Sequence, residues 1–339
     1  MSPAPNATVG GQAVIEGVMI RSPHAWSVAV RRPDGEIEVR HDPLPRLSSR
    51  SRLARIPFMR GVMVLGESLT LGFKALTWSA QIASTAEDTE EKARLEKLAA
   101  KDGWRGRRAR KRLAKGNELG KGELAAAMGF ALVFFVFVFM LAPLGGAKAV
   151  ESLLGGSNAV VFNVAEGVIR VIILVGYIWL IGRSKEIGRV FQYHGAEHKS
   201  IYAYEAGDPL TVPEVQKYHT MHPRCGTSFL LLVVLLSVFV FTFVGIFQPN
   251  LFWLITSRIV LIPVIAGLSY EVLKISDAKS YLRFLSRPGI ELQRLTTNEP
   301  DEHQVEVAVA SLLSALSDEE RVEVRSRGPI CEAAWSAIS

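Results

Sequence analysis

The chain has 339 residues, of which 49% are hydrophobic and 21% charged, and this balance excludes both an ordinary soluble domain and a bare bundle of membrane spans. Its formal net charge of +6 is typical, in a membrane protein, of cytoplasmic loops that face anionic lipid. Cys225 and Cys331 are its two cysteines, and their wide separation excludes a disulfide framework and favours a reducing compartment.

Residues 1–45 are predicted to form a small cytoplasmic β-unit. The first residues lack a charged start followed by an apolar run, so no cleavable signal peptide is expected. Strands are predicted over 26–32 and 36–41, on either side of the turn Pro33-Asp34-Gly35. Glycine accepts a positive φ and proline fixes its own φ, which gives this turn a physical cause.

The segment 56–85 is predicted to be an amphipathic helix at the membrane interface, because Arg60, Glu67 and Lys74 interrupt its apolar residues. A fifth membrane span is the alternative, and the cost of these charges in a bilayer counts against it. Residues 86–121 form a charged cytoplasmic segment. Its basic run lacks interleaved aromatic residues, which makes it weak evidence for RNA binding, so no nucleic-acid partner is expected.

Four apolar stretches within 122–275 predict four transmembrane helices, because each reaches the roughly 20 residues that a helix needs to cross a bilayer. The stretches are residues 124–144, 159–181, 227–247 and 251–273. Lysine and arginine are concentrated before the first stretch, in the loop 183–225 and after the fourth. The positive-inside rule therefore places that loop and both termini in the cytoplasm. The expected fold is a mainly α membrane protein with about four transmembrane helices, a small N-terminal β-unit and cytoplasmic helical segments.

The last segment, 276–339, is predicted to be cytoplasmic and partly helical. Asn298-Glu299-Pro300-Asp301 has the composition of a helix start, with a cap residue, a proline and early acidic residues. The apolar residues that follow at helical spacing are Val305, Val309, Leu312 and Leu316. We expect this helix to pack on the other cytoplasmic parts of the chain.

The loop after the second stretch contains H-x-x-E-H, the inverted zinc-protease motif, at His194, Glu197 and His198. On a helix both imidazoles share one face and can bind one metal, and Glu197 falls beside them as a general base for a metal-bound water. So short a pattern recurs by chance, and two surface histidines with a solvated glutamate are the alternative. Glu205 is too far along a helix to join the same metal, unless the helix breaks at Gly195.

The predicted topology brings further ligand types to the same membrane face. His222 and Cys225 lie at the cytoplasmic start of the third span, and Glu271 lies at the cytoplasmic end of the fourth. We expect zinc or another divalent transition metal, with a third ligand from one of these residues, since nitrogen and sulfur donors favour zinc. Residues expected to support the site are Tyr193, Glu205 and Tyr270.

Three charged residues fall inside the predicted spans. Glu166 and Arg258 lie at similar depth, counted from the outer ends of their spans, and Arg170 lies one turn deeper than Glu166. Buried charges in a bilayer are paired when they do not face a water-filled cavity. We therefore expect an intramembrane pair of Glu166 and Arg258 with Arg170 close by. A transport path is the alternative.

Several blocks of sequence resemble the YqhQ-like family of bacterial membrane proteins. They are GGQAVIEGVMIRSP (10–23), YHGAEHKSIYAYEAG (193–207), HPRCGTSF (222–229), AGLSYEVLK (266–274) and PGIELQRLTTNEPDEHQVEVAVA (288–310). This family carries the label of a predicted metal-dependent enzyme without a substrate. The resemblance therefore implies a protein of the bacterial inner membrane. It also draws attention to Gln12, Glu16 and Arg21, which are expected either to fold over the metal cluster or to lie on the surface of the β-unit.

The sequence leaves three functions open. The first is a zinc hydrolase that acts on a peptide or a lipid-linked amide or ester near the inner leaflet. The second is a non-enzymatic scaffold or regulator with a cytoplasmic or membrane partner, in which His194, His198, His222 and Cys225 form a closed site that joins the spans. The third is a transporter, which would need a homo-oligomer to enclose a path through the bilayer.

Overall fold

The structure is a computed structural model that describes residues 9–44, 57–83, 97–100, 103–104, 106–107, 110, 121–155, 158–223, 225–245, 251–278 and 287–338. Within these residues the protein is mainly helical, with a four-stranded antiparallel sheet near its N-terminus. Most of the charged segment 86–121 lies outside the described residues.

The sheet has the order β1-β2-β3-β4, so each strand pairs with its neighbour in sequence. The strands are β1 (Gly10–Val14), β2 (Gly17–Arg21), β3 (Ala25–Arg31) and β4 (Ile37–Pro43). Gly35, in the turn between β3 and β4, has a φ of 94°, which glycine adopts without strain. The predicted N-terminal β-unit is therefore confirmed.

Twelve α-helices and one π-helix follow in the described residues. They are α1 (Pro57–Ala83), α2 (Lys121–Val136), the π-helix (Phe137–Leu141), α3 (Ala142–Leu153), α4 (Ala159–Ile181), α5 (Lys185–Ala206), α6 (Val212–Gln216), α7 (Gly226–Gly245), α8 (Leu251–Ala278), α9 (Arg287–Gln293), α10 (Glu302–Ala315), α11 (Asp318–Ser326) and α12 (Glu332–Ser336).

Three helical stretches among the described residues are long and apolar enough to cross a membrane. They are Gly129–Leu153, Val160–Ile181 and Thr256–Leu273, and a shorter apolar stretch, Phe229–Val244, lies within α7. The protein is therefore a membrane protein with at least three candidate spans, and a fourth through α7 stays a prediction. Helix α1 is not among the three stretches, although its 27 residues would be long enough.

The first of these stretches ends later than the sequence predicts. We expected it to end near Leu144, beside Pro143, but the helix continues through the π-helix and α3 to Leu153. A proline cannot bond to the carbonyl four residues before it and its ring displaces that group, which here is the carbonyl of Phe139. The π-helix contains this residue, and Arg170 Nε donates to the Phe139 oxygen at 3.3 Å. An external donor thus replaces the bond that proline removes, and the helix continues.

The sheet is covered on both faces. One face packs on α5 and α10, and α1 covers the other through Leu71 and Ala75. Helix α10 is buried on nearly every side, whereas the sequence predicted only one apolar face. Its cap is Asp301, in a capping box with Gln304, so the helix starts after Pro300. Helix α5, which carries the H-x-x-E-H motif, is thereby held against the sheet.

Candidate metal centre

Helix α5 is continuous through the motif. Ser184 caps its first turn by accepting from the N–H of Ile187 at 3.1 Å, and Gly207, with a φ of 82°, ends it. The helix does not break at Gly195, which was the condition for Glu205 to join the same metal. A Cβ on Gly195 would instead overlap the carbonyl oxygen of Asn298, so the segment between α9 and α10 lies directly against the backbone of α5. Glycine at this position allows the close approach.

Three side chains come together where α5 faces the start of α7. His194 Nε2 lies 3.1 Å from Cys225 Sγ, and the ring centroids of His194 and His198 are 4.4 Å apart. One donor atom from each of these three residues lies within 4.8 Å of the other two. Cys225 directly precedes the first residue of α7, so the group stands at the end of an apolar helix.

Backbone carbonyls orient both imidazoles. His194 Nδ1 lies 2.8 Å from the oxygen of Thr296, and His198 Nδ1 lies 2.5 Å from the oxygen of Thr220. A carbonyl only accepts, so each Nδ1 carries the hydrogen and each Nε2 presents its lone pair. Metal-binding histidines are usually held in this way by their other nitrogen. Burial lowers the pKa of His198, which favours the neutral form that binds a metal.

Glu197 lies beside the three donors and is nearly fully buried, at 3% exposure. Its carboxylate accepts from the backbone N–H of Gly11 in β1, while Oε2 has no hydrogen-bond partner among the described residues. Burial is the main cause that raises the pKa of Glu197 to about 8, and Cys225 adds to it. His194 and the Gly11 N–H act in the opposite direction. An acid with this pKa holds its proton in part at neutral pH.

Two of the proposed third ligands are not among these three donors. Within the described residues, neither His222 nor Glu271 belongs to the three-donor group. His222 Nε2 is 3.7 Å from a carboxylate oxygen of Glu205, and its ring centroid is 5.6 Å from that of His198 and 4.6 Å from that of Tyr202. Glu205 therefore reaches the neighbourhood of the centre through His222, with no break in the helix.

Tyr270, expected to support the centre, lies beside α1. A Cβ on Gly61 of α1 would be 3.2 Å from the Cβ of Tyr270 and 3.0 Å from the carbonyl oxygen of Gly267. Gly61 thus marks a close crossing of α1 and α8. Glu271 is the next residue of α8 and is partly buried.

Of the three suggested residues in the N-terminal block, Glu16 contacts α5. Glu16 bonds to the guanidinium of Arg189 and accepts from the hydroxyl of Tyr193 at 3.3 Å. The other two side chains of the block, Gln12 and Arg21, contact α1. Gln12 packs on Gly72, where an added Cβ would be 2.7 Å from Gln12 Nε2, and a guanidinium nitrogen of Arg21 lies 3.4 Å from the carboxylate of Glu67. The strand reaches the centre through the backbone of Gly11.

Gln293 was missed by the sequence analysis. Its side-chain amide accepts from the N–H of His222 at 2.7 Å and donates to the carbonyl of His222 at 2.8 Å. Gln293 is fully buried and lies at the end of α9. It fixes the backbone three residues before Cys225. A glutamine followed by polar residues gives no pattern that reveals this pairing.

The three charged residues of the spans form a separate network. Glu166 accepts from Arg258 Nε at 2.9 Å and from Arg170 at 2.6 Å, and a second guanidinium nitrogen of Arg258 completes a forked pair. Arg170 also donates to Ser237 at 3.0 Å in α7. The network joins α4, α7 and α8 and includes the carbonyl of Phe139 at the π-helix.

Comparison with known proteins gives a family without an activity. A family profile described as "Protein of unknown function (DUF1385)" matches residues 56–318. The chain is 35% identical over 321 residues to "Uncharacterized protein YqhQ" of Bacillus subtilis (strain 168), an alignment that covers 91% of this chain and 94% of that protein. No solved structure matches.

Proposed function

The chain belongs to this DUF1385 or YqhQ-like family, and from its own residues we propose that it is a metal-dependent hydrolase. One observation carries the proposal. Two oriented imidazoles and a thiol lie beside a buried carboxylate whose Oε2 has no partner among the described residues. A strongly perturbed acid within a cluster of metal-binding side chains is typical of a functional site.

The donor set fits zinc. His194, His198 and Cys225 would hold the ion, and two nitrogens with one sulfur suit its borderline softness. Three protein ligands are the number that catalytic zinc sites keep, with one position left for water or substrate. Bound there, the ion would act as a Lewis acid and lower the pKa of its water.

Glu197 would move the proton. Its pKa is about 8 without a metal, and a bound cation would lower this pKa toward neutral pH, where both the acid and the carboxylate are accessible. As the carboxylate it takes a proton from the attacking water, and as the acid it returns that proton to the leaving amine or alcohol. Gly11 holds one carboxylate oxygen, which leaves Oε2 for this transfer.

The position of the centre favours a substrate near a membrane surface. Helix α5 begins at Lys185, soon after the candidate span Val160–Ile181 ends, and Cys225 directly precedes the apolar α7. With the basic residues of these loops inside, the centre faces the cytoplasm at a bacterial inner membrane. A peptide or a lipid-linked amide or ester at the inner leaflet is the substrate class that fits this position.

A structural metal in a scaffold protein is the second candidate, and His222 is the observation in its favour. Its ring lies 5.6 Å from that of His198, close enough that a modest movement would add a fourth ligand. A site closed by four protein ligands has no open position for chemistry. The effect of replacing His222 on metal retention therefore separates the two functions.

The test uses the full chain, purified in detergent without chelator, and measures metal content and hydrolysis. We expect about one metal ion in the wild type, in Glu197→Gln and in Cys331→Ala, but none in Cys225→Ala. Cys331 is the matched control, because it is the other cysteine of the chain and is also buried. In a panel of amide and ester substrates, Glu197→Gln should keep the metal and lose turnover.

Three results would contradict the proposal. Equal metal content in Cys225→Ala and Cys331→Ala would mean that the three donors do not bind the metal. Turnover that persists in a metal-loaded Glu197→Gln protein would mean that Glu197 does not transfer the proton. Loss of metal in His222→Asn, as complete as in Cys225→Ala, would favour the closed scaffold site.

A further inference from the structure

An open groove runs along the outer side of α1, away from the metal centre. Its volume is about 620 Å³, and its lining includes Leu69, Phe73, Lys74 and Trp78 of α1 with Arg40 of β4. Leu69 and Phe73 are 65% and 59% exposed, which is unusual for large apolar side chains on a helix that also packs on a sheet. This groove is called the α1 groove below.

The α1 groove lies at the level where a neighbouring span ends. At their crossing, Gly61 of α1 meets Gly267 of α8, which lies six residues, or about 9 Å, before the end of the candidate span at Leu273. Leu69 is eight residues, or about 12 Å, further along α1 than Gly61, toward the half that covers the sheet. The exposed apolar residues therefore lie where the hydrocarbon gives way to lipid headgroups.

The charge of the α1 groove is positive. Arg40 and Lys74 are the charged residues that line it among the described residues, and no acidic residue does. Arg40 is partly neutralised, because it donates to Asp42 at 2.8 Å. Lys74 forms no ion pair with any described residue. A free ammonium beside exposed apolar side chains complements a molecule with a phosphate group and an acyl chain.

We propose that the α1 groove binds an anionic phospholipid of the bilayer. The phosphodiester lies between Lys74 and Arg40, and the first part of an acyl chain lies along Leu69 and Phe73. Trp78 provides the amphipathic ring that favours the headgroup level. This lipid site requires no metal and stands whether or not the proposed hydrolase is correct.

The test counts lipids bound to the full chain in detergent by native mass spectrometry, with phosphatidylglycerol and phosphatidylcholine titrated separately. Wild type should bind phosphatidylglycerol more tightly. Lys74→Gln should weaken that binding about five-fold, the factor that corresponds to roughly 1 kcal/mol for a cation near an anionic surface. Lys148→Gln is the control, since Lys148 is also an exposed lysine but lies on α3. Leu69→Gln should weaken the binding of both lipids.

The same experiment can overturn the inference. Equal affinity of the wild type for the two lipids would mean that the groove does not select anionic lipid. An equal loss in Lys74→Gln and Lys148→Gln would reduce the effect to general charge. Displacement of phosphatidylglycerol by an equimolar amount of inorganic phosphate would make the groove a site for free phosphate. Unchanged lipid binding in Leu69→Gln would assign the exposed apolar face to a protein partner.

Discussion

Replacing Gly195 with alanine adds a methyl group where α5 touches the backbone after α9. The new Cβ would lie closer to the Asn298 oxygen than the 3.0 Å below which Cβ atoms are essentially never found. Because that atom is backbone, the whole segment must move. Overpacking of this kind costs ~1–3 kcal/mol, and the better helix propensity of alanine offsets ~0.5–1 kcal/mol of it. The expected net loss is about 1–2 kcal/mol.

The movement should also disturb the metal centre. Asn298 follows Thr296 by two residues, and the Thr296 carbonyl accepts from His194. Gly195→Ala should therefore lower both the thermal midpoint of the detergent-solubilised protein and the retention of metal against a chelator. The matched control is Gly188→Ala in the same helix, where a Cβ meets nothing within 4 Å. That change should stabilise the protein by up to ~1 kcal/mol and leave metal retention unchanged.

A thermal midpoint that Gly195→Ala raises as much as Gly188→Ala does would contradict this prediction. That result would mean that α5 and the Asn298 segment are further apart than the structure places them. A lowered midpoint with normal metal retention would contradict only the link between this contact and the orientation of His194.

Three further predictions concern buried polar groups. In metal-free protein, the pKa of Glu197 is about 8 when folded and 4.5 as the reference value, so ionisation of this buried acid lowers the stability of the fold as pH rises from 4.5 to 8; Glu197→Gln should flatten that decline in thermal midpoint. Glu166→Gln and Arg258→Gln should each destabilise by ~3–5 kcal/mol, and the double variant by less than their sum in a double-mutant cycle; full additivity would refute the pair. Gln293→Leu removes the side-chain amide that bonds to both the N–H and the carbonyl of His222, and it should cost ~1–3 kcal/mol by thermal unfolding, whereas an unchanged midpoint would show that other groups replace the amide.

The parts of the fold that the sequence predicts well are those with local causes. The hairpin between β3 and β4 depends on Gly35, which has a φ of 94°, and the need for this φ comes from the turn and not from distant residues. The start of α10 depends on a capping box between Asp301 and Gln304. The local sequence does not predict which elements will surround a helix. Helix α10 is buried on nearly every side because the sheet and α5 enclose it.

The first candidate span shows why one boundary was misplaced. Pro143 is a helix stop by local rules. Here the carbonyl that proline displaces, that of Phe139, receives a hydrogen bond from Arg170 on another helix. The residue that keeps this helix intact lies 27 positions further along the chain. No window of sequence around the proline contains that information.

The candidate metal centre can likewise be predicted only in part from the sequence. Helical spacing places His194 and His198 on one face, but it depends on how the helices meet that Cys225, and not His222 or Glu271, lies within 4.8 Å of both. The groups that orient the imidazoles are backbone carbonyls, and every residue type has one. Sequence can therefore name ligand types, while their selection and orientation belong to the tertiary structure.

The burial of Glu197 is what most separates this centre from two incidental histidines. A carboxylic acid enclosed by protein, with one oxygen lacking a partner among the described residues, costs stability, of the order of 1–3 kcal/mol for an unsatisfied buried group. Packing alone gives no reason to accept that cost, since an apolar side chain of similar size would avoid it. The strand β1 nevertheless brings the Gly11 N–H to the carboxylate, while Oε2 has no hydrogen-bond partner among the described residues. Such an arrangement is what the proposed hydrolase requires, since there Glu197 has to carry a proton.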